Sequence, residues 1–88
     1  MQEIINMLEV ILVDSANRER LVRDFQKRIG NNLFSATEEE TKIYANLAYT
    51  MENYEPDEEV RQEDPSLYGD DRLIKEIEKA LNKLKKVK

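Results

Sequence analysis

Apolar residues recur at spacings of three and four along most of the chain, which is the repeat of one face of an α-helix. The first such stripe lies in residues 2–13 and the second in residues 21–29, with polar residues between the apolar positions. Two amphipathic helices are therefore predicted in the first third of the chain. Their stripes consist of Ile4, Ile5, Leu8, Ile11 and Leu12 in the first helix and of Leu21, Val22, Phe25 and Ile29 in the second.

The boundaries of the second helix are predicted from residues that favour helix ends. Asp14 and Ser15 have the side chains of a helix N-cap and are expected to start it. Gly30 and Asn31 both tolerate the left-handed conformation of a C-cap, so the helix is expected to end there. Its solvent-facing side is predicted to consist of Arg18, Arg20, Arg23, Asp24, Lys27 and Arg28.

Two further helices are predicted after residue 36. Thr37 followed by Glu40 fits the capping box that begins a helix, and a stripe continues to about Asn53. Because Pro56 disfavours helical backbone at the residue before it, the third helix is expected to end ahead of that proline. A fourth helix begins at Asp70 and Asp71. The apolar positions are Ile43, Tyr44, Leu47, Ala48 and Met51 in the third helix, and Leu73, Ile74, Ile77, Leu81 and Leu84 in the fourth.

These patterns predict an all-α fold, because no stretch alternates apolar and polar residues long enough for a strand. Isolated amphipathic helices cannot bury their stripes, so they are expected to form a compact four-helix antiparallel bundle from one domain, residues 1–88. Residues 54–69, here called the connection, separate the last two helices. We expect it to be ordered and partly helical, held against the bundle by Tyr54, Val60, Leu67 and Tyr68.

The composition excludes most catalytic chemistry. The 88 residues include no Cys and no His, which removes thiolate nucleophiles, zinc–thiolate sites and the commonest general base. The carboxylates of the connection lack the alternating ligands and central glycine of an EF-hand, and an exposed loop has no apolar pocket to raise a carboxyl pKa for acid catalysis. A non-enzymatic protein without cofactor or metal is predicted.

The chain shows no sign of membrane insertion. Its longest apolar-leaning run, residues 7–13, is far shorter than the roughly 20 residues of a membrane-spanning helix. The residues before that run lack the basic region of a signal peptide. We therefore expect a cytoplasmic protein that does not bind membranes.

Charge is distributed unevenly, although the net charge is only −5. Residues 1–37 are neutral, residues 38–71 carry −10 and residues 72–88 carry +5. The acids are densest in residues 52–64, here called the acidic segment, which holds Glu52, Glu55, Asp57, Glu58, Glu59, Glu63 and Asp64. Crowded like charges repel one another, so this segment either remains a solvated loop or meets a cationic partner.

Two tyrosines are predicted to contact a partner. Tyr44 lies in the apolar stripe of the third helix and is expected in the core, whereas Tyr49 lies off that stripe and Tyr54 adjoins the acidic segment. Tyrosine is enriched at binding hot spots. Tyr49 and Tyr54 are therefore candidate contact residues.

The lysines of the last helix are predicted to solvate its outer face and to match its dipole. They are Lys75, Lys79, Lys83, Lys85, Lys86 and Lys88. No aromatic residue interleaves them to stack on bases, so direct binding of nucleic acid is not expected.

Residues 48–81 resemble the colicin D-type immunity proteins, a bacterial self-protective family that also occurs beside contact-dependent growth-inhibition toxins. The shared features follow one order: an alanine-bearing helix, the run Tyr54-Glu55-Pro56-Asp57, further acids with Arg61, the pair Asp70-Asp71, and a terminal amphipathic helix. The chain length is also similar. The sequence Pro65-Ser66-Leu67-Tyr68-Gly69 has no clear counterpart in the family.

This resemblance implies a small helical bundle that binds the nuclease domain of a cognate toxin, usually one that cleaves tRNA. Acidic residues of such proteins cover the active site and stand in for RNA phosphates. Glu52, Glu55 and Asp57 match the acidic contact region of the family and would each face a basic toxin residue. From charge density alone, we extend the predicted toxin-binding site to Glu58, Glu59, Glu63 and Asp64.

The sequence thus favours an immunity protein that acts as a monomer in a one-to-one complex with a basic nuclease toxin. A helical adaptor or regulatory module that assembles through the lysine-rich last helix is the alternative. The two hypotheses differ in the expected oligomeric state, since an adaptor of this kind would associate with itself or with another helical protein.

Overall fold

The computed structural model describes residues 2–31 and 36–86, and most of the described residues are helical. Its helices are α1 (Gln2–Val13), α2 (Arg18–Gly30), α3 (Glu38–Thr50), α4 (Glu58–Glu63) and α5 (Asp70–Lys86), and a 3₁₀ turn, Met51–Asn53, continues α3. The predicted all-α class is confirmed, as is the extension of the third helix to Asn53. None of the helices described has both the length and the apolar character needed to cross a membrane.

The core lies between the four longer helices. α1 packs against α2 and α5, and α3 packs against the same two helices. Tyr44 is fully buried, as its place in the α3 stripe predicted. Most other predicted stripe positions also reach the core, and Ile5, Leu12, Leu21, Ile43, Ala48 and Leu81 pack against it while partly buried. The fully or almost fully buried apolar residues are Ile4, Leu8, Ile11, Val22, Phe25, Ile29, Tyr44, Leu47, Met51, Leu73, Ile77, Ala80 and Leu84.

The predicted capping box at the start of α3 is present. The Glu40 amide donates to Thr37 Oγ1 at 3.2 Å, and the Thr37 amide donates to Glu40 Oε1 at 2.9 Å. These bonds satisfy amides that the first turn of a helix leaves without partners. They also explain why Glu40 is buried in spite of its charge.

The predicted C-terminal end of α2 is confirmed, since the helix ends at Gly30 with Asn31 as its C-cap, but its predicted start and its left-handed C-cap conformation require correction. α2 begins at Arg18, because the Asp14 carboxylate closes the preceding turn by accepting from the Asn17 amide at 3.2 Å and from its side chain at 3.1 Å. These hydrogen bonds lower the pKa of Asp14. At the other end Asn31 is right-handed, with φ −93°, and its amide donates to the Lys27 carbonyl at 3.0 Å. This ordinary helical bond closes the last turn without a left-handed residue.

Arg18 also departs from its prediction as a solvent-facing residue, since it is only 6% exposed. Its Nε donates to the Ile11 carbonyl at 2.7 Å and its Nη2 to the Leu12 carbonyl at 2.8 Å. Those carbonyls belong to the last turn of α1, where a helix leaves its acceptors unpaired and where α1 has no basic residue of its own. Arg18 therefore caps α1 from the neighbouring helix.

Candidate protein-binding surface

The connection is tied to the bundle through a pair of tyrosines. The Glu55 amide donates to the Tyr68 carbonyl and the Tyr68 amide donates to the Asn53 carbonyl, both at 2.9 Å. These bonds form an isolated parallel bridge between Tyr54 and Tyr68. The two rings lie 6.4 Å apart and pack against the core. The two ends of the connection are therefore held side by side.

The hydroxyls of both tyrosines are used inside the protein. Tyr54 donates to Asp70 Oδ1 at 2.6 Å, and Asp70 Oδ2 lies 3.5 Å from Arg18 Nη1. Tyr68 donates to the Thr50 carbonyl at 2.6 Å. Tyr54, a predicted contact residue, is thus half-buried and ties the connection to α2 and α5. Its role in a partner contact stays a prediction.

Burial of these tyrosines predicts that the fold loses stability at alkaline pH. Burial raises the pKa of Tyr68 to about 12 from an ordinary 10.0, and burial with the Asp70 hydrogen bond also raises the pKa of Tyr54. The folded state therefore favours the neutral phenols. Their contribution to stability is complete below pH 10 and is lost as the pH rises toward about 12.

Urea unfolding across this pH range measures the effect, with Tyr68→Phe as the comparison. Phenylalanine has no phenolic proton to lose, so the free energy of unfolding of the variant is expected to fall less steeply above pH 10 than that of the wild type. Equal slopes for the two proteins would contradict the assignment.

Arg61, the only base of the acidic segment, points inward. Its Nη1 donates to the Glu55 carbonyl at 2.6 Å. The guanidinium lies so close to Gly69 that a Cβ there would meet Nη1 at 2.8 Å. The missing side chain of Gly69 thus makes room for a cation that braces the connection from within.

The short helix α4 presents its acids outward. Asp57 is its N-cap and accepts from the Glu59 amide at 2.9 Å, while the Asp57 amide donates to Glu55 Oε2 at 3.1 Å. Asp64 follows the helix and accepts from the amide and hydroxyl of Ser66, which lowers the pKa of Asp64. α4 has no buried residue. The prediction that Val60 holds the connection against the bundle is therefore wrong, since this side chain is 39% exposed.

The seven predicted acidic residues lie on the connection and on the 3₁₀ turn that precedes it. Glu55 is half-buried and the other six carboxylates are exposed. In the described part of the chain, none of the seven makes an ion pair; the ion pairs present there involve carboxylates elsewhere, such as Glu3, Glu19, Glu38, Asp70 and Glu76. The acidic segment therefore presents its negative charge to solvent.

Two further predictions concern exposed side chains. Tyr49 is 74% exposed on α3, in keeping with its place off the core stripe, and it remains free to contact a partner. The lysines of α5 from Lys75 to Lys86 are exposed, as predicted, and Lys88 lies outside the described residues. α5 thus places a positive face away from its own buried stripe.

The site missed in the sequence is the network that holds the connection, formed by Arg18, Tyr54 and Asp70. One signal was available, because positions 18, 22, 25 and 29 share one helix face, which places Arg18 in the α2 stripe. Among residues 2–31 and 36–86, no three Asp or Glu side chains are grouped to hold a metal ion.

No protein-family model, curated protein or solved structure matches the chain.

Proposed function

We propose that the chain is an immunity protein that binds and neutralises a nuclease toxin of bacteria, one that cleaves tRNA. In this proposal the acidic segment covers the cationic active site of the toxin in a one-to-one complex within the cytoplasm. The observation that carries it is the ordered acidic segment, whose seven carboxylates make no ion pair in the described structure and whose one base is turned inward.

Electrostatic repulsion favours a partner for this surface. Seven carboxylates within thirteen consecutive positions repel one another and oppose the compact state. A nuclease that grips RNA must present cations to phosphate groups. Complementary charge of this kind accelerates association and rejects partners of the wrong sign. An acidic surface on the inhibitor is therefore matched to the cleft that the toxin needs for its substrate.

The order of the connection also supports an inhibitory role. A flexible acidic loop would lose conformational freedom on binding, and that loss opposes affinity. Here the Tyr54–Tyr68 bridge, the inward Arg61 and the Asp57 cap fix the backbone beforehand. The backbone that carries the carboxylates of the connection is thus ordered before any partner arrives.

The resemblance to colicin D-type immunity proteins supports the same function. It assigns Glu52, Glu55 and Asp57 to the toxin contact, and these residues flank the start of the connection. The proposal includes the antiparallel four-helix bundle that the family implies. The closed set of contacts from α1 to α2, α3 and α5 and back to α1 is compatible with that arrangement.

The test is co-expression of the chain with the basic C-terminal domain of the toxin encoded beside its gene. Native mass spectrometry is expected to show a one-to-one complex that weakens with salt, and tRNA cleavage by the toxin domain is expected to stop when the chain is added. Continued cleavage at saturating chain would contradict the proposal. A chain found only as a homo-oligomer would favour the helical adaptor instead.

Asp57 allows charge to be separated from structure, because the residue is both an acid and the N-cap of α4. Asparagine caps a helix about as well as aspartate. Asp57→Asn is therefore expected to weaken toxin binding by about tenfold, or about 1.4 kcal/mol, without changing the melting temperature. Isothermal titration and thermal unfolding measure the two effects.

Glu38→Gln is the matched control for this substitution, since Glu38 is an exposed acid in the first turn of α3 and lies outside the acidic segment. It is expected to leave toxin affinity within about twofold of the wild type. Equal affinities of the Asp57→Asn and Glu38→Gln proteins would remove Asp57 from the contact.

A further inference from the structure

A groove runs along one side of the protein, between α2 and the segment formed by α3 and the 3₁₀ turn. Its larger part is a cleft of about 510 Å³ that lies beside the acidic segment. Buried Val22 and Met51 form its floor, and Glu19, Glu52 and Glu55 are among the residues of its rim. The cleft therefore joins an apolar floor to the start of the acidic segment.

A second cleft of about 340 Å³ continues the groove toward the end of α2. It is lined by the small residues Gly30, Ala45 and Ala48, with Tyr49 at its edge. Gln26 and Glu52 line both clefts. The Gln26 side chain also donates to the Ala48 carbonyl at 3.1 Å, which fixes α2 against α3 across the groove. The two clefts are thus parts of one preformed surface.

Tyr49 is an unusual residue for this surface. It is a large aromatic side chain, 74% exposed, next to a floor of small residues. Aromatic side chains at protein surfaces are enriched at the centres of interfaces, where they supply much of the binding energy. Tyr49 is therefore a candidate contact residue at the smaller cleft.

The charges of the larger cleft indicate which partner group fits it. Glu19 is paired with Arg23 at 2.8 Å, so these two charges offset each other. Lys27 lies on the α2 side. On the opposite side Glu52 and Glu55 make no ion pair within the described residues, and Glu55 Oε2 accepts from a backbone amide. The unbalanced negative charge thus lies at the end that adjoins the acidic segment.

We propose that the toxin inserts a lysine or arginine side chain into the larger cleft, with its cationic end at Glu52 and Glu55, while Tyr49 packs against the toxin beside it. The aliphatic stem of that side chain lies over Val22 and Met51, in the manner in which long basic side chains cover apolar surface. This inference rests on the proposed function and extends its interface from the acidic segment onto the groove.

The groove and the exposed acids then perform different tasks. Charges at the rim of an interface mainly set the association rate and its salt dependence, whereas buried contacts set the dissociation rate. The acids of α4 lie outside the groove and would attract the toxin. Tyr49 and Glu52 would hold it once it has docked.

Surface plasmon resonance with the immobilised toxin domain tests this division. Tyr49→Ala is expected to raise the dissociation rate at least about tenfold, with an association rate within about twofold of the wild type. Val13→Ala is the matched control, because Val13 is 82% exposed on α1 and lines neither cleft. It is expected to bind as the wild type does.

A second pair of variants tests the cationic occupant. Glu52→Gln and Glu63→Gln each remove one negative charge from the acidic segment, but only Glu52 lines the groove. The first is expected to raise the dissociation rate about fivefold or more, and the second less than about twofold.

Ala45→Gln, which adds bulk at an exposed helical position of the small-residue floor, is expected to weaken binding about tenfold.

The outcomes distinguish this inference from the function on which it rests. A wild-type chain that does not bind the toxin domain would overturn both. A wild-type chain that binds and inhibits, combined with dissociation rates of Tyr49→Ala and Glu52→Gln equal to those of their controls, would leave the immunity function intact and overturn the groove contact. Thermal unfolding of each variant checks that the fold is retained.

Discussion

Replacing Arg18 by methionine is expected to lower the free energy of unfolding by about 3 kcal/mol. The substitution keeps much of the side-chain volume but removes the donors that satisfy the Ile11 and Leu12 carbonyls. It also removes the cation that faces Asp70. Buried acceptors without donors cost more than an ordinary hydrogen bond contributes. Because small domains have a stability of only about 5–15 kcal/mol, the loss is large.

Two other variants show whether the loss of stability comes from the hydrogen bonds between the Arg18 guanidinium and the α1 carbonyls. Arg18→Lys keeps the charge, but a single ammonium cannot reproduce the two parallel bonds of the guanidinium, so an intermediate loss is expected. Arg20→Met removes an exposed arginine of the same helix and is expected to change stability by less than about 0.5 kcal/mol. Urea unfolding measures all three. An Arg18→Met protein as stable as the Arg20→Met protein would show that the α1 carbonyls are satisfied in another way.

If the proposed toxin is the partner, neutralising the acids of α4 is expected to have the largest effect on the encounter between the two proteins. The triple variant Glu58→Gln, Glu59→Gln and Glu63→Gln removes three exposed charges from the acidic segment. At low salt its association rate is expected to fall by about 100-fold, because steering by opposite charge raises association rates by about 10- to 1,000-fold. The wild-type rate should fall toward that of the variant as salt is added.

A variant of equal net charge separates local from global electrostatics. Glu9→Gln, Glu38→Gln and Glu39→Gln also remove three exposed acids, but these lie on α1 and at the start of α3. Their combined loss is expected to slow association by less than about fivefold, since none of these charges belongs to the acidic segment. Stopped-flow mixing measures both rates. Equal slowing of the two triple variants would mean that net charge, and not the acidic segment, attracts the toxin.

Much of the fold could be predicted from the sequence because its signals are local. The stripes of α1 and α5 repeat with helical periodicity over three or more turns, and Tyr44 lies within such a stripe. The Thr37–Glu40 capping box needs residues only three positions apart, and the structure contains both of its hydrogen bonds. Local propensity and tertiary packing favour the same result at these positions.

The errors arise where a distant contact decides the outcome. Arg18 was assigned to the solvent by its charge, yet the unpaired end of α1 lies beside it and accepts its guanidinium. Asp14 accepts from the amide of Asn17, three positions later, as an N-cap side chain does, but this bond closes a turn and α2 begins only at Arg18. In both cases the residue type indicates that the side chain will form hydrogen bonds. Which groups it bonds is decided by the turn between α1 and α2.

The sequence predicts which acidic residues form the candidate site, but it does not predict the contacts that hold the connection in place. Charge density identifies residues 52–64 as unusual, and Pro56 marks the end of the preceding helix. The Tyr54–Tyr68 bridge has no periodic signal, because a bridge of one residue on each side produces no alternation. The inward direction of Arg61 brings its guanidinium against Gly69, eight positions later, where an added Cβ would meet Nη1. Such pairings appear only when the chain is folded.

The contacts that hold the connection affect which of its residues can be substituted during evolution. Its backbone is held by Tyr54, Tyr68 and Arg61, none of which belongs to the exposed acids of α4. Glu58, Glu59 and Glu63 are exposed, so their replacement is expected to have little effect on folding. Selection can therefore alter the displayed side chains one at a time while the scaffold persists. Proteins with this architecture can therefore change their exposed acids in response to changes in a binding partner, and they need no extra stability of the fold beforehand.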